Sequence, residues 1–201
     1  GATATSDRFG NPNSALDFNN ARYTVNSYLS SSSPVPFAQP KYSYSVWFKS
    51  NDVLVPSGGG DMVEQVVLSF NQNVYGPAAM YTLRISGNSG KKLFTWHWSS
   101  SYGYEGFSES NSISIDKGKW YNAIVTFDGI NLSLFLNGIL WARVPVHIDY
   151  KLQNTIFVVG SEGIYQPFIG SIDDLILWDR ALTESEVKRF YLASQKQLYT
   201  Y

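Results

Sequence analysis

The chain has no cysteine. Disulfides and thiolate metal sites are therefore closed to it, and cysteine usage gives no reading of its redox compartment. It has only two histidines, His97 and His147. Neither has a neighbouring nucleophile or a second histidine at ligand spacing, so both read as structural or solvated side chains. Net charge is nearly absent: 15 Lys and Arg against 16 Asp and Glu leave −1 at pH 7. That balance offers no broad electrostatic footprint for nucleic acid or an anionic membrane. There is no apolar run of about 18 residues, which excludes a transmembrane helix. The start, Gly1-Ala2-Thr3-Ala4-Thr5, lacks the basic and apolar segments of a signal sequence. The glycine run Gly58-Gly59-Gly60 is not followed by Lys-Ser/Thr, so it is not a phosphate-binding loop. No Gly-x-Ser-x-Gly nucleophile elbow occurs.

What is abundant is aromatic: 14 Tyr, 12 Phe and 6 Trp in 201 residues. Such a load favours strands and aromatic-lined surfaces. Short apolar segments separated by turn residues predict strands over 43–49, 63–70, 80–85, 92–98, 120–127, 131–137, 141–146, 156–160 and 171–178. A further short strand begins at Ile113 and Ile115. Asp128-Gly129 and Asn137-Gly138 are hairpin signals. Thr183-Glu184-Ser185-Glu186 is a capping box that opens a short helix through about Ala193. The small, polar residues 1–6 read as a linker or N-terminal extension, 7–195 as one domain, and 196–201 as a tail. Ser99 to Ser110 reads as a polar-aromatic loop.

Phe168-Ile-Gly-Ser-Ile-Asp-Asp-Leu-Ile-Leu-Trp-Asp-Arg-Ala-Leu182 organises the C-terminal half. A regular strand places Ile172, Asp174, Ile176 and Trp178 on one face and Asp173, Leu175 and Leu177 on the other. Both faces are mostly apolar, which predicts a strand buried between two layers. A carboxylate there costs free energy unless a cation or hydrogen-bond donors answer it. This stretch resembles the C-terminal signature of laminin-G-like jelly-roll domains of the concanavalin A-like superfamily. Ala15 to Val25, Tyr44 to Lys49 and the hairpin from Lys119 to Gly138 resemble further parts of that pattern, in the same order. The resemblance spans about residues 7–190. It implies an all-β, two-sheet antiparallel jelly-roll sandwich with a short C-terminal helix.

The resemblance also implies a structural Ca²⁺ where the aspartate heading the C-terminal strand meets the N-terminal loop. In this chain the oxygen-bearing residues are Asp173 with Asp7, Asn11 and Asn13. Calcium takes about six to eight oxygen ligands in flexible geometry. The other reading is that Asp173 accepts backbone N–H bonds and Asp7 caps a turn. Hydrolases of the fold carry Glu-x-Asp-x-Glu on one strand, and that pattern is absent here. Lyase-type members use Tyr, His and Arg in a cleft; Tyr81, His97 and Arg84 would have to imitate that set. The chain is therefore read as no enzyme.

The remaining constellation is Phe94-Thr95-Trp96-His97-Trp98 followed by Tyr102, Tyr104 and Phe107. Trp96 and Trp98 share a strand face. They are either core rings or, with Tyr102 and Tyr104, a platform for stacking on a sugar. Ser99, Ser100, Ser101, Glu105, Glu109 and Asn111 supply hydrogen-bonding groups nearby. The expectation is a non-catalytic, lectin-like adhesion module that binds a glycan or cell-surface polysaccharide outside a bacterial cell. Its setting is a larger surface or fibre protein or a homo-oligomer. A polysaccharide hydrolase or lyase and a structural, protein-binding module are the alternatives.

Overall fold

A computed structural model describes residues 1–20, 27–33, 41–51, 64–71, 79–86, 92–99, 103–107, 113–147, 156–162 and 166–196. Strands are numbered in chain order. The first sheet runs, edge to edge, β1 (Thr3–Thr5), β2 (Ala15–Asn19), β14 (Ile169–Trp178), β4 (Tyr42–Ser50), β10 (Trp120–Phe127), β11 (Asn131–Leu136) and β12 (Ile139–Pro145). The second runs β3 (Leu29–Ser30), β13 (Ile156–Val159), β5 (Glu64–Asn71), β6 (Ala79–Ser86), β7 (Lys92–Ser99) and β8 (Gly103–Gly106), with β9 (Ile113–Ser114) also paired to β7. All of these pairings are antiparallel. Among the described residues one helix, α1 (Glu184–Ser194), follows β14. This is the two-sheet sandwich with a short C-terminal helix that the turn-punctuated sequence predicts.

Alternation supplies the core. Tyr44, Val46 and Phe48 of β4 and Ala123, Val125 and Phe127 of β10 meet Leu68, Phe70, Leu83, Ile85 and Leu93 of the second sheet, all buried. Tyr42, Phe70 and Tyr81 pack edge-on, with ring centroids 5.2 Å (Tyr42–Tyr81) and 6.4 Å (Phe70–Tyr81) apart. Each such ring, fully buried, is worth about 1.5–3 kcal/mol against exposure.

The first sheet is covered on its other face as well. Ile124 of β10 and Phe135 of β11 point away from the sandwich and pack on Leu182 and Val187, with Leu140, Trp178 and Phe190 around them. Helix α1 thus closes a second, smaller apolar layer. The capping box is formed: Thr183 Oγ1 accepts from the Glu186 N–H, and Glu186 accepts from the Thr183 N–H at 2.8 Å.

Three features depart from the sequence reading. Residues 3–5, expected within a linker, form the edge strand β1 against β2. Within the expected loop 99–110, Gly103–Gly106 form β8 against β7. Strand β14 does not keep a two-residue period: its register to β4 shifts between Asp173 and Ile176, and Asp174 holds φ +46°. One extra residue in a strand switches every later side chain to the opposite face. Ile172 therefore shares the core with Leu175 and Leu177, and Asp173 lies on the helix-side face that Trp178 also occupies.

Gly170, inside the C-terminal signature, has a physical reason. It holds φ +153°, and a β-carbon there would lie 2.1 Å from the Lys49 carbonyl oxygen of the neighbouring strand. Gly170→Ala is expected to lower the melting temperature by about 6–12 °C, about 3 kcal/mol for a domain of this size. A thermal melt within about 2 °C of the parent protein would show that the two strands separate at little cost.

Candidate functional site

Two regions hold the residues singled out from the sequence. The first is the face of the second sheet turned away from the core. On β6, Leu83 and Ile85 enter the core, so Thr82 and Arg84 belong to the opposite face. On β7, Leu93 is in the core and Thr95 bonds Tyr44 there, so positions 94, 96 and 98 belong to the opposite face. The ladder places Thr82 across from Trp96 and Arg84 across from Phe94. It places Trp98 across from Tyr104, and Trp96 across from Gly106. Trp96, Trp98 and Tyr104 thus occupy one sheet face on adjacent strands, where opposed positions stand about 5 Å apart. Tyr102 lies outside the described residues, as do Glu109 and Asn111.

The same face carries a buried ionic cluster. Arg84, 2% exposed, donates to Glu64 at 2.5 Å, to Thr82 Oγ1 at 2.8 Å, and also to Glu162 and Gln166. Gln166 sits at φ +51° and further donates to Glu64 at 3.3 Å. The cluster pins the connection between β13 and β14 onto β5 and β6. Glu162 was not legible as a partner, because it lies 78 residues from Arg84 and in no motif.

This geometry overturns the lyase-like set. Tyr81, 2% exposed, packs in the core against Tyr42 and Phe70, and His97 is its ladder partner. Arg84 is on the other face, so the three do not line one cleft. His147 and Glu105 form a different link: the Glu105 carboxylate accepts from the His147 N–H at 2.6 Å and lies 2.9 Å from its Nδ1. That bond ties edge strand β8 to the segment just after β12, the outermost strand of the other sheet.

The second region is the joint between the N-terminal loop, β14 and α1. Asp7 Oδ1 accepts from the N–H groups of Phe9 (2.8 Å) and Asn11 (2.9 Å), and Oδ2 accepts from Asn11 Nδ2 at 2.8 Å. Burial alone would raise the Asp7 carboxyl, but these bonds outweigh it and hold it below the ordinary carboxylate value. Asn13, at φ +58°, lines a groove of about 430 Å³ together with Leu16, Ile172, Asp173 and Leu175. Asp173 itself is met by Arg8 Nη1 at 2.6 Å. Burial, then the neighbouring Asp174 carboxylate, push Asp173 above its ordinary value against the pull of Arg8.

These residues do not fit a calcium ion as arranged. Asp173 faces a guanidinium, and both Asp7 oxygens face donors of their own loop. Among the described residues, no group of three or more His, Asp or Glu side chains is placed to hold a metal. Arg8, which meets Asp173, carries no sequence signal of its own: the loop's oxygen-bearing residues draw the reading toward a metal.

The sequence profile of the concanavalin A-like lectin/glucanases superfamily matches residues 23–188. Among solved structures, domain 4 of an extracellular arabinanase from Geobacillus stearothermophilus, in complex with arabinotriose, is similar at 18% identity. The match covers 95% of this chain and 81% of that one, with a TM-score of 0.70. A heptameric pentraxin from Limulus polyphemus is similar at 17% identity over 87% of this chain and 79% of that one, TM-score 0.64. The botulinum neurotoxin serotype G binding domain is similar at 18% identity over 96% of this chain but 47% of its own, TM-score 0.63. No curated protein sequence matches the chain. No helix among the described residues is long and apolar enough to cross a membrane.

The Asp7 turn makes a pH-dependent contribution of definite sign. A carboxyl whose folded pKa is lowered stabilises the fold above its unfolded pKa, and loses that contribution as pH falls through the folded one. Asp7→Ala is expected to lower the melting temperature at pH 7 by about 2–4 °C, about 1 kcal/mol. Melts repeated toward acid should show the gap to the parent closing below the ordinary aspartate range of about pH 4. A gap that stays constant would show that Asp7 acts without its charge.

Proposed function

The chain belongs to the concanavalin A-like lectin/glucanases superfamily, and on that footing we propose that it is a non-catalytic carbohydrate-binding module. The observation that carries the reading is the juxtaposition of Trp96, Trp98 and Tyr104 on one face of adjacent strands β7 and β8. Flat rings at such positions suit the apolar faces of sugars, and polar neighbours orient the hydroxyls. Tyr102, two residues before Tyr104, completes the proposed ligand set. The fold likeness to an arabinanase domain solved with arabinotriose supports a neutral oligosaccharide as the ligand class.

Binding without catalysis is supported by the carboxylates of that face. Retaining and inverting glycosidases need two carboxyl groups free to act across a bond, about 5–9.5 Å apart. Here Glu64 and Glu162 are both engaged by the one Arg84 guanidinium. The chemistry open to this face is recognition. A shallow sheet face buries little of a sugar, so one site should bind in the micromolar to millimolar range, about −8 to −4 kcal/mol. Display of several copies, in an oligomer or on a larger surface or fibre protein outside the cell, would supply avidity.

Calorimetric titration with arabino-oligosaccharides and a panel of other neutral glycans tests the reading. At least one should bind, and Trp96→Ala or Trp98→Ala should weaken it about tenfold or more while the melting temperature stays put. Glycans that leave both the heat signal and the tryptophan fluorescence unchanged would leave a spacer or protein-contact domain instead. Release of reducing sugar from any bound polysaccharide would show an enzyme.

A further inference from the structure

We propose that Arg8 is the resident cation of the joint between the N-terminal loop, β14 and α1, in the place a metal ion would take. Two carboxylates and a backbone carbonyl converge on this joint, and the guanidinium takes all three in place of the larger oxygen shell a Ca²⁺ wants. Nη1 bonds Asp173 at 2.6 Å, Nη2 bonds Asp174 at 2.8 Å, and Nη2 and Nε bond the Ser194 carbonyl at 2.8 and 3.3 Å. Ser194 is the last residue of α1, so the positive charge also sits at the negative end of the helix.

The surroundings are built for a planar cation. The Arg8 side chain is 9% exposed, and its guanidinium carbon lies 4.5 Å from the ring centres of both Phe9 and Trp47. Trp47 in turn stacks on Tyr191 of α1 at 5.9 Å. A guanidinium can lie flat on aromatic rings while its edge bonds carboxylates. A hydrated calcium ion gains little from two aromatic neighbours and wants a shell of oxygens instead. The bulge at Asp174 contributes directly: the inserted residue brings a second carboxylate beside Asp173, and the fork of Arg8 addresses both. The domain therefore folds, and presents its ligand face, without calcium.

Melting the parent protein in calcium and in EDTA tests the inference without any substitution. The two curves should coincide within about 1 °C; a site filled a hundredfold over its Kd would move the midpoint by about 5–10 °C. A midpoint that rises with calcium, or one calcium per chain in native mass spectrometry, overturns the proposal. Substitution supplies the second arm. Arg8→Met, which keeps bulk and removes charge, is expected to lower the melting temperature by about 10 °C. Arg8→Lys should recover at least a third of that loss, because it keeps the charge but not the fork. Equal loss in both variants, or an Arg8→Met midpoint within about 2 °C of the parent, would show that the charge is not what the joint requires. Should Arg8→Met fail to fold, the calcium and EDTA comparison and the Arg8→Lys melt still decide.

Discussion

The structure depends on one constraint: the central strands of the first sheet are buried on both faces. Strands β4, β10 and β14 face the second sheet on one side, and the helix and N-terminal loop on the other. β4 reads almost continuously buried from Tyr42 to Ser50 for this reason. A sheet so placed cannot tolerate an unanswered charge, because transfer of an isolated carboxylate from water is costly. Asp173 lies on such a strand, and the N-terminal loop supplies the guanidinium that answers it. Phe9 and Trp47 lie against that cation and Tyr191 stacks on Trp47, so loop, sheet and helix are locked together around one side chain.

The second sheet is under a different constraint. No helix among the described residues covers its outer face, and that face carries Thr82, Arg84 and the positions of Trp96, Trp98 and Tyr104. The two sheets differ in cover: the first lies between the second sheet and the helix, and no described helix lies on the outer face of the second. The Arg84 cluster fixes the connection into β14 from the outer face of the second sheet. Glu105 and His147 fix the opposite edge.

What the sequence made legible was local. Asp128-Gly129 and Asn137-Gly138 marked their turns because Gly129, Asn137 and Gly138 hold positive φ there. Thr183 and Glu186 marked the helix start because capping needs only three residues of spacing. Strand existence followed from apolar segments between such signals. Three things escaped. Edge strands β1 and β8 are made of small or polar residues, whose pairing is decided by the neighbour and not by their own pattern. The bulge at Asp174 breaks the period that face assignments assume, so Asp174 and Ile176 were assigned the wrong companions. Partners such as Arg8 with Asp173, 165 residues apart, leave no trace in spacing. The common side of Trp96 and Trp98 was legible from alternation, and only the ladder to β6 and β8 says which side that is.

The position of β14 between β2 and β4 has a consequence in time. Those two strands are made early, yet no ladder joins them to each other; each pairs with a strand more than 100 residues downstream. During synthesis both would wait with open hydrogen-bonding edges until the last strand arrives and slips between them. Topologies dominated by such distant pairings fold slowly, on the order of milliseconds to seconds, and expose unpaired edges meanwhile. The seam closes only when the segment bearing Asp173 inserts, and Arg8 is the latch that then holds it. A newly made chain of this design is most vulnerable until β14 has been made and paired.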